Sequence, residues 1–384
     1  MRVRYPVLTT SPKNKFAHEM LTVVFPKLIQ NIVDSGVIRS KQVLQLERLR
    51  ASITLLDTVP VMSPAGMTPP EAWKKVRGYD GMRWTDLPSY AAESLFYCML
   101  LQSTGFFDAG SEYFSVDPFL VQKIRDLARG LPSVTFRYRR ATSARELLVS
   151  SLWGNLSDSA HLQSDAKKTD AEHEILVDES PQAIKAIAAA RQIAVLADNA
   201  GRELLSDLLL IIRILRDNQD ACVTIYLKEH PYFVSDATLN DFETTRVLLA
   251  ENRREELDLT EHLRLGKLRP KTHWFFHSPL HYSDCPDDLR EELNSFDVLI
   301  FKGDLHYRRL VSDRVTPADT SLRDLIPRFR PHLVLLRTLK SDICAGLPAA
   351  TVASMRDSDP SWKYSGRYGV IHYLPGTKQE GARQ

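Results

Sequence analysis

Cysteine is scarce and scattered: Cys98, Cys222, Cys285 and Cys344 are the four present in 384 residues, and no two form a CxxC pair. That argues against zinc ribbons and a disulfide framework, and suits a reducing, cytoplasmic setting. Long hydrophobic runs are also missing. The richest apolar stretch, Leu204 to Leu215, is broken by Ser206, Asp207 and Arg213 and is too polar for a membrane span. Residues 1–25 lack the uninterrupted apolar segment of a secretory signal. Neither sign of charge dominates: 50 Lys+Arg against 48 Asp+Glu leave a formal net charge of +2. Nothing therefore drives the chain generally toward nucleic acid or an anionic membrane, and any preference for anions is local. No GxxxxGK[ST] loop occurs, which argues against a P-loop nucleotidase, and no GxGxxG follows a strand, which weakens dinucleotide binding and ordinary methyl-donor binding.

What is present is an ordinary folding composition, with 43% hydrophobic residues. The length of 384 residues suggests two domains, or one large domain with an appendage. The first third has the helical period: 17–34 and 41–56 carry apolar residues at three- and four-residue spacing, and 95–101 continues the pattern. This predicts a mainly helical N-terminal domain over 1–145 and an α/β domain over 146–384. Residues 157–180 are polar and charged and read as an exposed loop; Pro181 then opens a helix over 182–191.

From there strands and helices alternate. Residues 193–196 form a short apolar strand that runs into Asp198-Asn199, Gly201 turns the chain, and an apolar helix follows. That helix is apolar nearly all round, so it should be buried on both sides, with its first-turn N–H groups facing the Asp198 region. Val223 to Lys228 is a second strand, whose trailing loop carries Ser235-Asp236; Val298 to Phe301 is a third, leading into Lys302-Gly303-Asp304; Leu333 to Leu336 is a fourth, leading into Arg337-Thr338-Leu339-Lys340. Helical crossovers make such strands parallel, so their polar ends gather on one sheet edge, where ligands bind in open α/β sheets. Carboxylates and an amide suit magnesium or manganese; lysine and arginine beside them suit phosphate.

Each of these residues also has a plain structural role to compete with. Asp198 or Asn199 can cap a helix, Glu203 can complement a helix dipole, Asp236 can sit in a turn, and Lys302, Asp304, Arg308, Arg337 and Lys340 can be solvated charges. Their convergence from four strand ends favours a site. His273, His277 and His281 have zinc-helix spacing, but the aromatic, Pro279-containing segment reads as a strand plus turn. Asp357-Ser-Asp359 follows no apolar strand, and Phe136 to Arg140 reads as a solvated junction rather than a nucleic-acid patch.

The ordered segments ADNAGxEL (from Ala197), FVSDxT (from Phe233), FKGDLxYRRL (from Phe301) and RTLK (from Arg337) together resemble the damage-control phosphatases, in the acidic-residue-methyltransferase-like branch marked by an RTxK motif. Supporting matches are Trp84, Leu87-Pro88, Glu93, Asp117-Pro-Phe119, Leu152-Trp-Gly-Asn155 with Asp158, Pro360-Ser-Trp362 and Gly366-Arg-Tyr-Gly369. The resemblance implies a three-layer α/β/α sandwich with a mainly parallel, Rossmann-like sheet and an N-terminal helical domain. It also implies a phosphatase for sugar phosphates such as fructose 1-phosphate or fructose 6-phosphate, dependent on a divalent metal: manganese first, with cobalt, nickel or magnesium as alternatives. By the same resemblance the metal ligands fall on Asp198, Asn199 and Asp236. Substrate contacts fall on Glu203, on Asp304, Leu305, His306, Tyr307 and Arg308, and on Lys340, with Asn155, Lys302 and Arg337 as further candidates. Asp198, Asp304 and Lys340 are the expected catalytic groups. The chain departs from the family at Arg202, where an aromatic residue is usual, and at His306, where asparagine is common. Two alternatives stand beside this reading: an S-adenosylmethionine-dependent protein carboxyl methyltransferase, and a sugar-phosphate-binding protein without catalysis. The expected partner is a small phosphorylated metabolite, with no nucleic acid and no membrane.

Overall fold

The computed structural model describes residues 5–61, 63, 65–155, 173–251 and 255–377. Its centre is a seven-stranded sheet: β1 (Glu174–Asp178), β2 (Gln192–Leu196), β3 (Cys222–Leu227), β4 (Leu268–Thr272), β5 (Val298–Lys302), β6 (His332–Thr338) and β7 (Tyr368–Leu374). The spatial order is β1-β7-β6-β5-β2-β3-β4. β6, β5, β2, β3 and β4 are mutually parallel; β7 is antiparallel to β6, and β1 pairs parallel with β7.

The middle strands are nearly all apolar because both faces are covered. Alternate side chains enter different cores. Ile193, Val195, Val298, Ile300, Val334 and Leu336 join one cluster, while Ala194, Leu196, Leu299, Phe301, Leu333 and Leu335 join the other. This is the α/β/α arrangement expected. On the first face lies the Arg202–Asp217 helix, buried on nearly every side under the helices Leu120–Arg140 and Ala144–Leu152. Each of its buried leucines and isoleucines contributes roughly 1.5–3 kcal/mol, which is why an all-round apolar helix is stable there.

The N-terminal helical layer has its own core. Phe25, Leu28, Ile29 and Ile32 pack on Leu46, Leu49 and Ile53 and on the Ser89–Thr104 helix, and the Phe25 and Phe96 rings stack at 3.9 Å. Tyr232, from the loop after β3, is buried in that same cluster. The loop that carries Asp236 is thereby anchored to the helical layer.

Two expectations are corrected. The polar 157–180 region is not loop throughout: Glu174–Asp178 forms edge strand β1, and the helix after it begins at Ser180; residues 156–172, including Asp158, lie outside the described residues. The segment after His273 is not a strand. Trp274–His277 is a single 3-10 turn, and the strand is the preceding Leu268–Thr272, where Pro270 is tolerated because β4 is an edge. Among the described residues, no helix is long and apolar enough to cross a membrane.

Candidate functional site

β2 lies between β3 and β5, and from it the chain winds outward in opposite directions, through β3 and β4 on one side and β5 and β6 on the other. The carboxyl end of β2 is therefore the switch point of the sheet, where a crevice forms. Asp198 and Asn199 occupy it. The loop after β3 is zipped onto them: Ala237 N donates to Asp198 O at 3.0 Å, Ala200 N donates to Ser235 O at 2.6 Å, and Asn199 and Asp236 form an isolated bridge. On the other side Gly303, with φ +77°, passes directly over Asp198.

The side chains form a connected polar cluster. Asn199 Nδ2 donates to Asp198 Oδ2 at 3.1 Å and to Glu203 Oε2 at 2.9 Å, while its Oδ1 accepts from Ser235 Oγ at 2.7 Å. Asp236 Oδ2 accepts from Phe233 N at 2.7 Å. Lys228, at the end of β3, sends its ammonium between the two aspartates, 3.1 Å from Asp236 Oδ1 and 3.9 Å from Asp198 Oδ1. Burial pushes the Asp198 carboxyl well above its ordinary range; Lys228 and Lys340 oppose that, and the negative charges of Glu203 and Asp236 add to it. Lys340, half-buried after β6, is thus within electrostatic reach of Asp198.

A second layer lies beneath. Lys302 Nζ is 3.2 Å from Glu203 Oε1 and 3.1 Å from Asp207 Oδ1, and it donates to Ser151 O. Burial raises the Asp207 carboxyl to about 7 despite Lys302. Lys302 is therefore committed to protein partners and holds Glu203 from below. Asp304 is held in a similar way: Arg337 Nε donates to its Oδ1 at 2.7 Å and Ser341 Oγ donates to the same oxygen at 3.2 Å. Arg337 itself lies 4.0 Å over the Tyr307 ring.

Several candidates point elsewhere. Arg308 is buried in a separate network, with Nη1 donating to Glu93 Oε2 at 3.0 Å and Nε to Asp313 Oδ1 at 2.8 Å. It ties the helical layer to the sheet layer and cannot also hold a phosphate. His306 Nε2 donates to Ala197 O at 3.2 Å, so in the neutral ring Nδ1 accepts from Tyr282 Oη at 2.7 Å; burial keeps that ring neutral by lowering its pKa well below the ordinary value. Tyr307 Oη donates to Ala345 O at 2.9 Å, and Leu305 is buried. Of these residues on the Gly303–Leu310 helix, only Asp304 bonds side chains at the carboxyl end of β6, Arg337 and Ser341. Asn155 ends the 3-10 turn Trp153–Asn155, where Gly154 lets the backbone pass over Glu203; a Cβ on it would lie 2.7 Å from Glu203 Cα. Arg202 pairs with Asp126 at 3.2 Å. Asp126 Oδ2 also accepts from Arg202 N at 2.8 Å, so this first-turn N–H of the helix serves a carboxylate of the chain rather than a ligand.

Lys228 is the residue that strand-end reasoning overlooked, although it stands at the end of β3 as Lys302 does at the end of β5. Lys123 is another: its ammonium donates to Asp236 O at 2.8 Å and to Asp117 and Asp241 at 2.8 and 2.9 Å. No sequence spacing announces that contact.

Among the described residues, no three His, Cys, Asp or Glu side chains are grouped to hold a metal. A cation here would need the Asn199 amide as a ligand beside the two aspartates. Two buried carboxylates and an amide are hard oxygen donors that fit a divalent ion such as magnesium or manganese, and a cation would offset the burial and the neighbouring negative charges that raise the Asp198 pKa. The amide now presents nitrogen to Asp198, so ligation on that side requires it to turn over.

Fold and crevice define an α/β protein with acidic and basic groups gathered at the switch point of a mainly parallel sheet. The chain belongs to the family of the damage-control phosphatase ARMT1-like domain, whose profile matches residues 22–355. It is 32% identical over 195 residues to damage-control phosphatase ARMT1 of Homo sapiens, covering 48% of this chain and 44% of that one. It is 30% identical over 255 residues to the protein of that name from Macaca fascicularis, covering 59% and 58%. The matched region thus spans about half the length of these relatives. A crystal structure of a DUF89 family protein from Pyrococcus horikoshii superposes on 88% of this chain and 93% of its own with a TM-score of 0.48 at 17% identity.

Proposed function

We propose that this protein is a divalent-metal-dependent phosphatase of small phosphorylated metabolites, with sugar phosphates of the fructose 1-phosphate and fructose 6-phosphate type as substrates. The observation that carries the reading is the meeting of Asp198, Asn199 and Asp236 at the switch point, with Lys340 close enough to act on the Asp198 charge. Family membership supports it, since the matched relatives are named as phosphatases.

Asp198, Asn199 and Asp236 would hold the cation, which when bound supplies Lewis-acid stabilisation of phosphoryl oxygens and acidifies water. The remaining work falls to the chain. Phosphoryl transfer demands chiefly positioning and charge stabilisation. Lys340 neutralises the negative charge that spreads over the phosphoryl oxygens. Glu203, fixed from below by Lys302, keeps the Asn199 amide oriented. Asp304, fixed at one oxygen by Arg337 and Ser341, offers the other to sugar hydroxyls or to the leaving alkoxide. Attack by water and attack by the Asp198 carboxylate are both compatible with this residue set.

The test is phosphate release from fructose 1-phosphate by metal-stripped protein, with and without manganese chloride. Activity that returns with manganese and disappears in D198N and D236N supports the reading. Absence of release from a panel of phosphorylated metabolites with manganese, cobalt, nickel and magnesium sinks it. Transfer of labelled methyl groups from S-adenosylmethionine to protein carboxylates would replace it with the methyltransferase reading.

A further inference from the structure

Lys228 is 1% exposed, and its three N–H bonds are all accounted for: Ala197 O and Asp198 O accept at 3.1 Å each, and Asp236 Oδ1 lies at 3.1 Å. Asp198 Oδ1, at 3.9 Å, is beyond hydrogen-bond reach but well within Coulombic reach. The two carbonyls belong to the end of β2, so the amine is bolted to the strand that carries Asp198 while its own backbone belongs to the strand that leads to Asp236. It cannot swing aside for a ligand without leaving two buried carbonyls unpaired, which is costly. A lysine fixed in this way keeps its ammonium inside the cluster.

That charge changes what the cluster attracts. Two aspartates alone would cancel a divalent cation. With Lys228 beside them, and Glu203 balanced by its own partner Lys302, they carry one net negative charge, so a bound divalent cation leaves the cluster net positive, and Lys340 adds to that. By this count Lys340 alone would leave the metal-loaded aspartates with one excess positive charge; Lys228 doubles that excess, and a phosphate dianion is attracted more strongly the larger it is.

We propose that Lys228 is a resident counter-cation, a positioning residue that holds Asp198 and Asp236 together in the metal-free protein and makes the metal-loaded site more positive toward its phosphate ligand. The proposal rests on Asp198, Asn199 and Asp236 being the cation ligands for its second half only; the first half concerns the metal-free protein.

The experiment uses the full chain, with K228M, K228Q, D236N and K228M/D236N. In metal-free thermal unfolding, K228M is expected to lose about 5 °C, the size set by stranding a buried carboxylate in a chain of this length. K228Q, which keeps a donor for the carbonyls but no charge, is expected to lose most of the same amount. K228M/D236N, with the charge removed on both sides, is expected to recover the part of the loss that K228Q shares, the unpaired Ala197 and Asp198 carbonyls accounting for the rest. In calorimetric titrations of the manganese-loaded protein, inorganic phosphate is expected to bind K228M at least about tenfold more weakly than wild type. A metal-free K228M as stable as wild type, or a double variant no better than the sum of the singles, overturns the positioning role. Equal phosphate affinity in manganese-loaded wild type and K228M overturns the electrostatic role. A wild type that binds no manganese removes the cation-site reading instead, and the metal-free cycle still decides the role of Lys228.

Discussion

Gly303 and Asp198 share a space that admits only one side chain: a Cβ built on Gly303 would lie 1.7 Å from Asp198 Oδ2 and 2.4 Å from its Cγ. Gly303 also has φ +77°, a conformation that side chains of L-residues rarely adopt. The glycine after β5 therefore lets that strand end close over the carboxylate that ends β2.

Gly303→Ala is expected to displace Asp198 and twist the first turn of the Gly303–Leu310 helix. Phosphate release should fall by about a hundredfold or more, because misplacement of about 1 Å is enough for that. Stability should fall as well, by about 1–3 kcal/mol for the strained backbone. Assay and urea titration of the same preparation check both; near-wild-type turnover would show that Asp198 need not stand where Gly303 leaves it.

Arg308 supplies the opposite kind of prediction. Its guanidinium is enclosed by Glu93, Asp313 and Ser89, and the Glu93 carboxyl is raised by burial and held down by Arg308. Arg308→Met should cost about 3–5 kcal/mol of folding stability, the usual penalty for leaving buried carboxylates without their cation. Turnover per folded molecule at low temperature should stay within about threefold of wild type, in contrast to a lost phosphate contact, which costs about 2.7–4 kcal/mol of barrier. A normal unfolding midpoint with a large rise in KM would restore Arg308 to the substrate site.

Lys340 should behave in the reverse way. It is half-buried on the loop after β6, and its charge lowers the Asp198 pKa against the effect of burial. Lys340→Ala should reduce kcat/KM for a sugar phosphate about a hundredfold or more while moving the unfolding midpoint little. Lys340→Arg should recover part of the loss, since charge is kept and reach is altered. An alanine variant with normal kcat/KM would remove Lys340 from the catalytic set.

How much of this was legible in the sequence follows from where apolar runs are unbroken. β2, β3, β5 and β6 could be read because both of their faces are covered and their runs are nearly all apolar. β1, β4 and β7 could not. β1 and β4 are edges, with Glu174 and Asp178 at the ends of one and Arg269 and Lys271 pointing outward from the other; β7 is interior and buried, but Gly369 and His372 interrupt its apolar run. The convergence of Asp198, Asn199 and Asp236 was legible because strand ends share one sheet edge. The fates of Arg308, His306 and Tyr307 were not: a helix turns successive side chains by about 100°, and which of them face the crevice depends on partners such as Glu93 and Tyr282, distant in sequence. Asp207 looked like a mere interruption of an apolar run; its partners Lys302 and Ser151 come from two other elements.

Asp207 carries the pH prediction. Burial, its largest cause, raises the carboxyl from an ordinary value near 4 to about 7, with Lys302 opposing and Glu203 reinforcing the rise. The folded protein therefore holds a proton that the unfolded chain has already lost between those values. Stability changes with pH in proportion to protons bound in the unfolded state minus those bound in the folded state. That difference is negative here, so the contribution of Asp207 is fully present below about pH 4 and is lost as pH rises through about 7. Asp207→Asn keeps the size and an acceptor for Ser151 Oγ but removes the ionisation. Urea midpoints measured from pH 4 to 8 should fall less steeply in D207N than in wild type, and the two curves should approach or cross above neutral pH. Parallel curves would mean that Asp207 stays ionised throughout as the partner of Lys302, and that burial has not raised its pKa.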